Sequence, residues 1–487
     1  MSPPNRTLYV YDNLPVLRGI NSESIDLIAT DPPFNSKRLY NAPLGSRSAK
    51  QKFKDRWHWD DVTGEWHDLV ASDWPSIKEI IEAAAVIEGG SIDKLTGRID
   101  TGRTKNSTAA FLTWMAPRLI EMKRVLKPMG SIYLHCDPSA NSYLRLLMDA
   151  VFGRQNFRNE IVWQRHTSLA KGSQHAPKTW GNTTDMIFFY AGSGASLSPY
   201  RRMTDEEVIK QFPLVNDKGE RYYDDSSHIW RTPNMGARPN LCYEWRGFTN
   251  PHPSGWRLSK ERLEEEYKKG NIIIKANGRL QRRKYQRDYK GKQAGNLWTD
   301  MHIYQKKERT GWSTQKPLAL YERIIKASSN EGDVVLDPFC GCATTCVAAE
   351  KLGRQWVGID IDPVAETITK DRLFDVSGLN QMMDDSFVTV RKHPPKRGDI
   401  EQIADRKMRL LLWKRQGGKC ANPYCTLKRI ERKEDVELDH MIPKSRGGSD
   451  DLANRIGLCG NCNKRKSAKA WGQFLDEERS MQPHPKI

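Results

Sequence analysis

No run of about 18 apolar residues occurs anywhere in the 487 residues, which excludes a membrane-spanning helix. Met1 to Arg6 carries no apolar stretch, so no secretory signal is expected. Acidic residues are scarce: 60 Asp and Glu stand against 78 Lys and Arg, a formal net charge of +18. Such a balance suits a polyanionic partner, because Lys and Arg displace counterions from phosphates. Charge alone does not separate DNA from RNA. Cysteine is sparse, nine in all and mostly scattered, which fits a reducing compartment, and a cytoplasmic location is expected. Hydrophobic residues reach 38%, enough for packed cores and too many for a disordered chain. The length suggests two to four domains at roughly 150 residues each. No internal repeat is found.

Strand and helix signals alternate over most of the chain. Ser24 to Thr30 reads as a short buried strand, stopped by Asp31-Pro32-Pro33-Phe34, because two prolines cannot continue a ladder. Ala110 to Leu126 has helical spacing and ends at Lys127-Pro128-Met129-Gly130. Ser131 to His135 is the next strand, Leu144 to Phe152 a helix, and Asn159 to Gln164 and Asp185 to Tyr190 two more strands. From Gly192 to Gly311 the alternation breaks into a stretch rich in Trp, Tyr and Arg. It resumes with a strand at Asp333 to Leu336, a helix at Thr344 to Leu352 and a strand at Gln355 to Ile359. The pattern predicts an α/β, doubly wound sheet. Trp57 to Ser107 is mixed and charged, and no chemistry is assigned to it.

Two constellations carry chemistry in this part. Asp333-Val-Val-Leu-Asp337-Pro338-Phe339-Cys340-Gly341 is a strand running into a glycine turn and a helix, and a second strand ends nineteen residues later in Asp360. Glycine lets backbone approach a ligand, and the acid can accept bonds from ribose hydroxyls. About three hundred residues earlier, Asp31 to Phe34 closes a strand, which puts its side chains at the carboxyl edge of a sheet. An exocyclic amine on an aromatic ring is a poor nucleophile because its lone pair is delocalised. The Asp31 carboxylate and the Pro32 carbonyl can accept its two hydrogens and draw the nitrogen toward an attackable form. Phe34 can stack on the base, and no catalytic cysteine is needed.

These motifs resemble the β class of DNA amino-methyltransferases, in which the catalytic motif precedes the cofactor motif. Asp31, Pro32, Pro33 and Phe34 match its Asp-Pro-Pro-aromatic motif; Asp337, Pro338, Phe339 and Gly341 match Asp-Pro-Phe-x-Gly; Thr314, Lys316 and Pro317 match Thr-x-Lys-Pro. Tyr11-Asp12-Asn13-Leu14 is similar to a Gly-Asp-x-Leu segment found before the catalytic motif. The resemblance covers roughly residues 5 to 385. It implies a methyltransferase acting on double-stranded DNA, with S-adenosylmethionine held by Asp337, Phe339, Gly341, Asp360, Thr314 and Lys316. It also implies recognition of the target by residues 192–311, and flipping of the target base out of the stack. Asp at the first catalytic position favours adenine N6 over cytosine N4, where Ser is commoner. The family usually continues Ser-Gly-Thr-Thr after the glycine, whereas this chain has Cys342-Ala343-Thr344-Thr345. Alanine tolerates positive φ poorly, so the loop is expected to take a conformation that Ala343 can hold.

Near the end, Cys420-x4-Cys425 and Cys459-x2-Cys462 have the spacing of a structural four-cysteine zinc site. With Leu438-Asp439-His440, Asn454, Asn463, Pro443, Gly447-Gly448, Asp450-Asp451-Leu452 and Lys464-Arg465-Lys466, this resembles the HNH nuclease family and its ββα-metal hairpin. The resemblance implies His440 as general base and Asp439 and Asn463 as ligands of a catalytic Mg2+ or Mn2+. Asn454 would orient His440. The alternative is a zinc module that only binds DNA.

The expected layout is a catalytic half at residues 1–191 and a recognition region at 192–311, then a cofactor half at 312–390. A linker at 391–405, around Arg391 to Gly398, leads to an HNH module at 406–475 with a core of its own. The expected function is site-specific adenine-N6 methylation, in restriction-modification or phage and host DNA defence, with HNH cleavage. Cytosine N4 as target, and RNA as substrate, are the alternatives. A homodimer is left open.

Overall fold

The computed structural model describes residues 4–36, 39–41, 52–71, 74–92, 99–100, 108–165, 180, 182–201, 203–225, 229–250, 252–301, 308–377, 387–399, 403–427, 429–446, 448 and 450–481. Gly447 and part of Trp57 to Ser107 lie outside the described residues. The chain forms two compact units, residues 199–294 and the remainder.

In the larger unit nine strands form one sheet: β1 (Thr7–Val10), β2 (Ile25–Thr30), β3 (Leu126–Cys136), β4 (Phe157–Gln164), β5 (Thr184–Ala191), β6 (Leu297–Trp298), β7 (Val334–Asp337), β8 (Gln355–Asp360) and β9 (Thr389–Arg391). Their order is β6-β4-β5-β3-β2-β7-β8-β1-β9. All neighbours from β3 to β9 run parallel; β5 is antiparallel to both β3 and β4, and β6 is parallel to β4. The expected doubly wound sheet is present, with one reversed strand.

The buried strands follow from their composition. Ile25, Leu27, Ile28 and Ala29 are all fully buried, as in a strand covered on both faces. Alternation sends Ile28 to one face, with Ile132 and Leu336, against α1 (Asn13–Gly19), α2 (Trp59–Ala71), α3 (Pro75–Ile87), α4 (Thr108–Val125) and α5 (Asn141–Phe152). Leu27 and Ala29 face the other layer, with α6 (Leu318–Ser328), α7 (Thr344–Lys351) and α8 (Val364–Ser377). Each such aliphatic side chain contributes about 1.5–3 kcal/mol relative to exposure. Asp26 ties the amino ends of three strands: Oδ1 meets Lys127 Nζ at 2.6 Å, and Oδ2 accepts from Val334 N at 2.9 Å. The unassigned stretch supplies α2 and α3, whose Trp66, Ile77 and Ile81 complete the first layer. Among the described residues no helix is long and apolar enough to cross a membrane.

The C-terminal part belongs to the same unit. β10 (Glu437–His440) pairs antiparallel with β11 (Arg455–Leu458), placing His440 opposite Arg455. With α9 (Asp405–Arg415), α10 (Gly460–Lys466) and α11 (Trp471–Ser480), the hairpin encloses a core of Val436, Ile456, Leu458, Trp471 and Phe474. The ββα arrangement is as expected. The free linker is not: Arg391 ends strand β9, and the next residues dock on the α1–β2 turn. Arg397 Nη2 donates to Ser22 Oγ at 3.0 Å, Ser22 N to Asp399 Oδ2 at 2.9 Å and Gly398 N to Asn21 Oδ1 at 2.7 Å. A Cβ on Gly19 would lie 2.0 Å from Pro395 O. α11 also packs against α2, so the module shares a surface with the sheet domain.

The second unit, Pro199–Ala294, lies inside the expected recognition region, while Leu297–Trp298 already belongs to the main sheet. Four short antiparallel strands, Leu214–Val215, Arg221–Asp225, Leu280–Tyr285 and Ile272–Ile274 in spatial order, accompany a core of Trp245, Trp256, Leu263 and Leu280. Arg283 stacks over Tyr222 at 3.8 Å and Arg287 over Tyr285 at 4.3 Å.

Candidate functional site

The sheet order solves a problem the sequence leaves open. β2 and β7 are adjacent, with Leu27 opposite Val335 and Ile28 opposite Leu336, and β8 lies beside β7. Asp31, Asp337 and Asp360 therefore meet at the carboxyl edge, where open α/β sheets bind ligands. They line a cavity of about 300 Å³ together with Asp12, Pro32, Pro33, Phe34, Thr314, Lys316, Phe339 and Gly341. The predicted catalytic and cofactor residues of this half are thus brought together.

Their contacts distinguish their roles. Asp337 is buried, and both its oxygens already accept from the protein: Thr30 Oγ1 and Thr345 Oγ1, each at 2.6 Å, and Phe339 N at 3.1 Å. Burial pushes its carboxyl up to about 6, against the pull of the two hydroxyls. Asp337 holds the turn in shape. Asp360 accepts from Gly341 N and Asp362 N, each at 2.8 Å, and burial pushes it also up to about 6. Gly341 has φ 50°, and a Cβ there would meet Trp312 Nε1 at 3.0 Å, so only glycine leaves this wall of the cavity open. Ala343 sits at φ 59°, ψ 34° as the residue before α7. The expectation that the loop would spare it is corrected: the alanine takes the left-handed conformation, at a cost of roughly 1–2 kcal/mol, held there by complete burial.

Lys316, expected at the cofactor, lines the cavity and also reaches the catalytic motif. Its ammonium pairs with Asp31 Oδ2 and lies 5.6 Å from the Phe34 ring centre. The other oxygen, Asp31 Oδ1, is buried and has no hydrogen-bond partner among the described residues. Asp31 thus lines the cavity with one oxygen held by a cation and the other a buried acceptor without a hydrogen-bond partner among the described residues.

Asp55, Arg118, Trp114, His135 and Asp185 carried no sequence signal, and they support residues that did. Asp55, almost fully buried, accepts from Phe34 N at 3.1 Å, Asn35 N at 2.8 Å and Ser36 N at 2.9 Å, and so fixes the chain just after the catalytic motif. Asn13 Nδ2 donates to Pro338 O at 2.8 Å and its Oδ1 accepts from Arg118 Nε at 2.8 Å. Arg118, buried, stacks on Trp114 at 4.0 Å and faces Asp12 at 3.2 Å; burial lowers its guanidinium from the ordinary value. Phe34 stacks on His135 at 5.8 Å, and His135 Nε2 lies 2.9 Å from Asp185 Oδ2. These residues come from strands and helices far apart in sequence, and no local spacing joins them.

In the C-terminal part the sulfurs of Cys420, Cys425, Cys459 and Cys462 all lie within 4.8 Å of one another, as the ligands of one ion do. Backbone and side-chain donors support them: Cys459 N to Cys420 Sγ at 3.4 Å, Cys462 N to Cys459 Sγ at 3.5 Å and Asn422 Nδ2 to Cys462 Sγ at 3.3 Å. A tetrahedral set of four thiolates suits zinc.

The expected Mg2+ or Mn2+ site fares differently. Asp439 Oδ1 accepts from His440 N at 2.7 Å and Oδ2 faces Lys466 Nζ at 2.9 Å, while Asn463 Nδ2 donates to Glu437 Oε2 at 2.9 Å. The two expected ligands are engaged with different partners, so the residues present do not fit a divalent ion. Asn454 bonds the backbone next to His440. Its Oδ1 accepts from Ile442 N at 2.8 Å and its Nδ2 donates to Ile442 O at 3.0 Å, so it locks the backbone after His440. His440 Nε2 lies 2.8 Å from Asp450 Oδ1 and 2.7 Å from Arg455 Nη1. Burial, helped by the Arg455 and Lys444 charges, holds its imidazole below the ordinary value despite Asp450.

This carboxyl-edge geometry is matched by family membership. The family model described as DNA methylase covers residues 25–371, and the chain belongs to that family; the HNH endonuclease model covers residues 420–469, so the chain also carries an HNH domain. Among relatives, type II methyltransferase M.EcaI of Enterobacter cloacae is 31% identical over 258 residues, 52% of this chain and 55% of that protein. The type III restriction-modification enzyme StyLTI Mod subunit of Salmonella typhimurium is 26% identical over 365 residues, 71% of this chain and 49% of that protein. DNA adenine methyltransferase YhdJ of Escherichia coli K12 is 49% identical over 69 residues, 14% of this chain and 24% of that protein. The chain spans about half the length of the first two.

Proposed function

We propose that this protein transfers a methyl group from S-adenosylmethionine to adenine N6 in double-stranded DNA, within a restriction-modification or related DNA-defence setting. The observation that carries the reading is Asp31, a cavity-lining residue with one oxygen clamped by Lys316 and the other a buried acceptor without a hydrogen-bond partner among the described residues. The cavity fits the cofactor in its donor set, with the Asp360 carboxylate for hydroxyls and the Gly341 wall that a Cβ would close. When bound, S-adenosylmethionine supplies an electrophilic methyl group on a sulfonium.

The chain's own residues do the rest. Asp31 Oδ1 accepts one hydrogen of the target amine and the Pro32 carbonyl the other, which localises the nitrogen lone pair. Lys316 pairs with Asp31 Oδ2 and orients the side chain. Phe34, fixed by Asp55, stacks on the flipped base, and the proton released from nitrogen passes to Asp31 Oδ1. These interactions are made most strongly as the nitrogen becomes tetrahedral, so they act on turnover. Adenine is favoured by Asp at the first motif position and by the similarity to a DNA adenine methyltransferase. Recognition is assigned to the aromatic and basic unit Pro199–Ala294.

The HNH domain is read as stapled by zinc at its four cysteines. DNA cleavage there is the reading that the resemblance implies; DNA binding alone is the second, and it is favoured by the Asp439–Lys466 pair. The main reading is tested by incubating the protein with tritiated S-adenosylmethionine and unmethylated duplex DNA, then digesting to nucleosides. Label in N6-methyldeoxyadenosine is expected. Label in N4-methyldeoxycytidine would replace adenine by cytosine, and label in RNA alone would overturn the DNA assignment.

A further inference from the structure

Lys466 has an unusual place for a lysine. It is the last residue of α10, in a tail whose other cations reach acids of α11 or solvent: Arg465 Nη2 meets Glu478 Oε2 at 2.7 Å and Lys469 pairs with Glu477. Lys466 turns inward instead and is 0% exposed. Its ammonium faces Asp439 Oδ2 at 2.9 Å, without the alignment of a hydrogen bond, and neither atom has another partner among the described residues. A buried ammonium is costly unless a counter-charge is adjacent, so this pair holds both groups in place. The turn that follows is committed as well. Ser467 has φ 48° and ψ −131°, a backbone region that favours glycine, and its N–H closes on Asn463 O at 3.0 Å.

The same carboxylate cannot serve both a lysine and a divalent ion at ordinary distances. An ion bound to Asp439 Oδ2 would stand within about 5 Å of the fully buried ammonium. The other candidate ligands have partners of their own while Lys466 is in place. His440 Nε2 is shared between Asp450 and the Arg455 guanidinium, and Asn463 bonds Glu437. Among the described residues, the four cysteines are the one group of three or more His, Cys, Asp or Glu side chains placed to share an ion.

We propose that Lys466 is the resident cation of Asp439, and that the zinc-loaded, DNA-free protein therefore takes up no magnesium or manganese at this carboxylate. Lys466 acts as a latch: any divalent-dependent reaction of the HNH domain requires this side chain to be withdrawn first. The charge that a hard ion would supply next to Asp439 is supplied by the chain itself.

The experiment uses the full chain, with zinc confirmed by metal analysis, and Mn2+ titrated without DNA while free Mn2+ is read by electron paramagnetic resonance. Wild type and Asp439→Asn should give superimposable curves. Lys466→Met, which keeps the buried stem and removes the charge, should gain one Mn2+ site at least about tenfold tighter than any Asp439-dependent binding of wild type. The site should vanish in the Lys466→Met, Asp439→Asn double variant. A structural readout separates a latch from a simple staple. Lys466→Met should melt lower than wild type and be restored by Mn2+, whereas wild type should not shift. If Lys466→Met loses zinc, Lys466→Gln, which retains length and a donor, replaces it in the same titrations. An Asp439-dependent Mn2+ site in wild type as tight as in the variant would overturn the proposal. So would a folded, zinc-loaded variant that gains no site and no Mn2+ stabilisation.

Discussion

Replacing Asp31 by asparagine is the sharpest perturbation of the proposed chemistry, because it changes one charge and almost no volume. Lys316 is a donor and pairs with Oδ2, so the amide must turn its oxygen toward Lys316. Its NH2 then occupies the place of Oδ1, the buried acceptor with no partner among the described residues. A target amine would meet a donor where it now meets an acceptor. The loss of a charge-assisted hydrogen bond is about 1.5–3 kcal/mol, and facing donors add roughly 1 kcal/mol more. A barrier raised by about 2.5–4 kcal/mol lowers turnover some 10²- to 10³-fold. The Asp337 and Asp360 frame is untouched, so the dissociation constant for S-adenosylmethionine should stay within about threefold. Asparagine is a cleaner probe than alanine, which would leave the mostly buried Lys316 ammonium unpaired. Single-turnover transfer of tritiated methyl groups to duplex DNA gives the rate, and calorimetry gives the affinity. Turnover within threefold of wild type, or a loss confined to cofactor affinity, would refute the role given to Asp31.

Other outcomes test other parts of the site. Gly341→Ala adds a Cβ 3.0 Å from Trp312 Nε1 at φ 50°, and should weaken cofactor binding by about 1–2 kcal/mol in calorimetry, beside a loss of folding stability of roughly 1–2 kcal/mol. The Asp360 carboxyl, pushed up to about 6 by burial, stands above its unfolded value near 3.9. The folded state therefore holds the proton longer, so this group's contribution makes the ligand-free protein lose stability as pH rises from about 4 to about 6, and stay level above. Melting curves of Asp360→Asn should lack that part of the slope; equal slopes would contradict it. Removing zinc with a strong chelator should unfold the HNH domain, seen as lost circular dichroism and lost zinc together, since its small core depends on the four cysteines.

The docking of residues 395–399 on the α1–β2 turn has a mechanical consequence. Arg397 also approaches Asp451 at 3.5 Å, and Asp451 Oδ1 accepts from the backbone N of Asn454, the residue that locks the loop after His440. The HNH loop is therefore braced by a residue that is itself braced by Ser22 of the sheet domain. A flexible tether would leave the two halves independent; this one gives them a common support.

What the sequence determined by itself is whatever contiguous residues dictate. The paired prolines end β2 at Asp31, the glycine shapes the turn after β7, and cysteine spacing brings the sulfurs together within each pair. Apolar runs marked six of the nine strands to within a few residues, because buried parallel strands are apolar on both faces. The very short β6 and the short edge strand β9 have no such runs and were not legible, whereas β1, an interior apolar strand of four residues, was not assigned from the sequence. Tertiary structure alone decided the partners. β2 pairs with β7 across about three hundred residues, and only that pairing brings Lys316 to Asp31. Asp55 finds three N–H groups, Arg118 finds Asp12 and Asn13, and Lys466 finds Asp439 through burial and sheet order. The physical reason is range. Turns, strand ends and ligand spacing are set by neighbours in the chain, whereas the counter-charge of a buried group is set by whichever element packs against it.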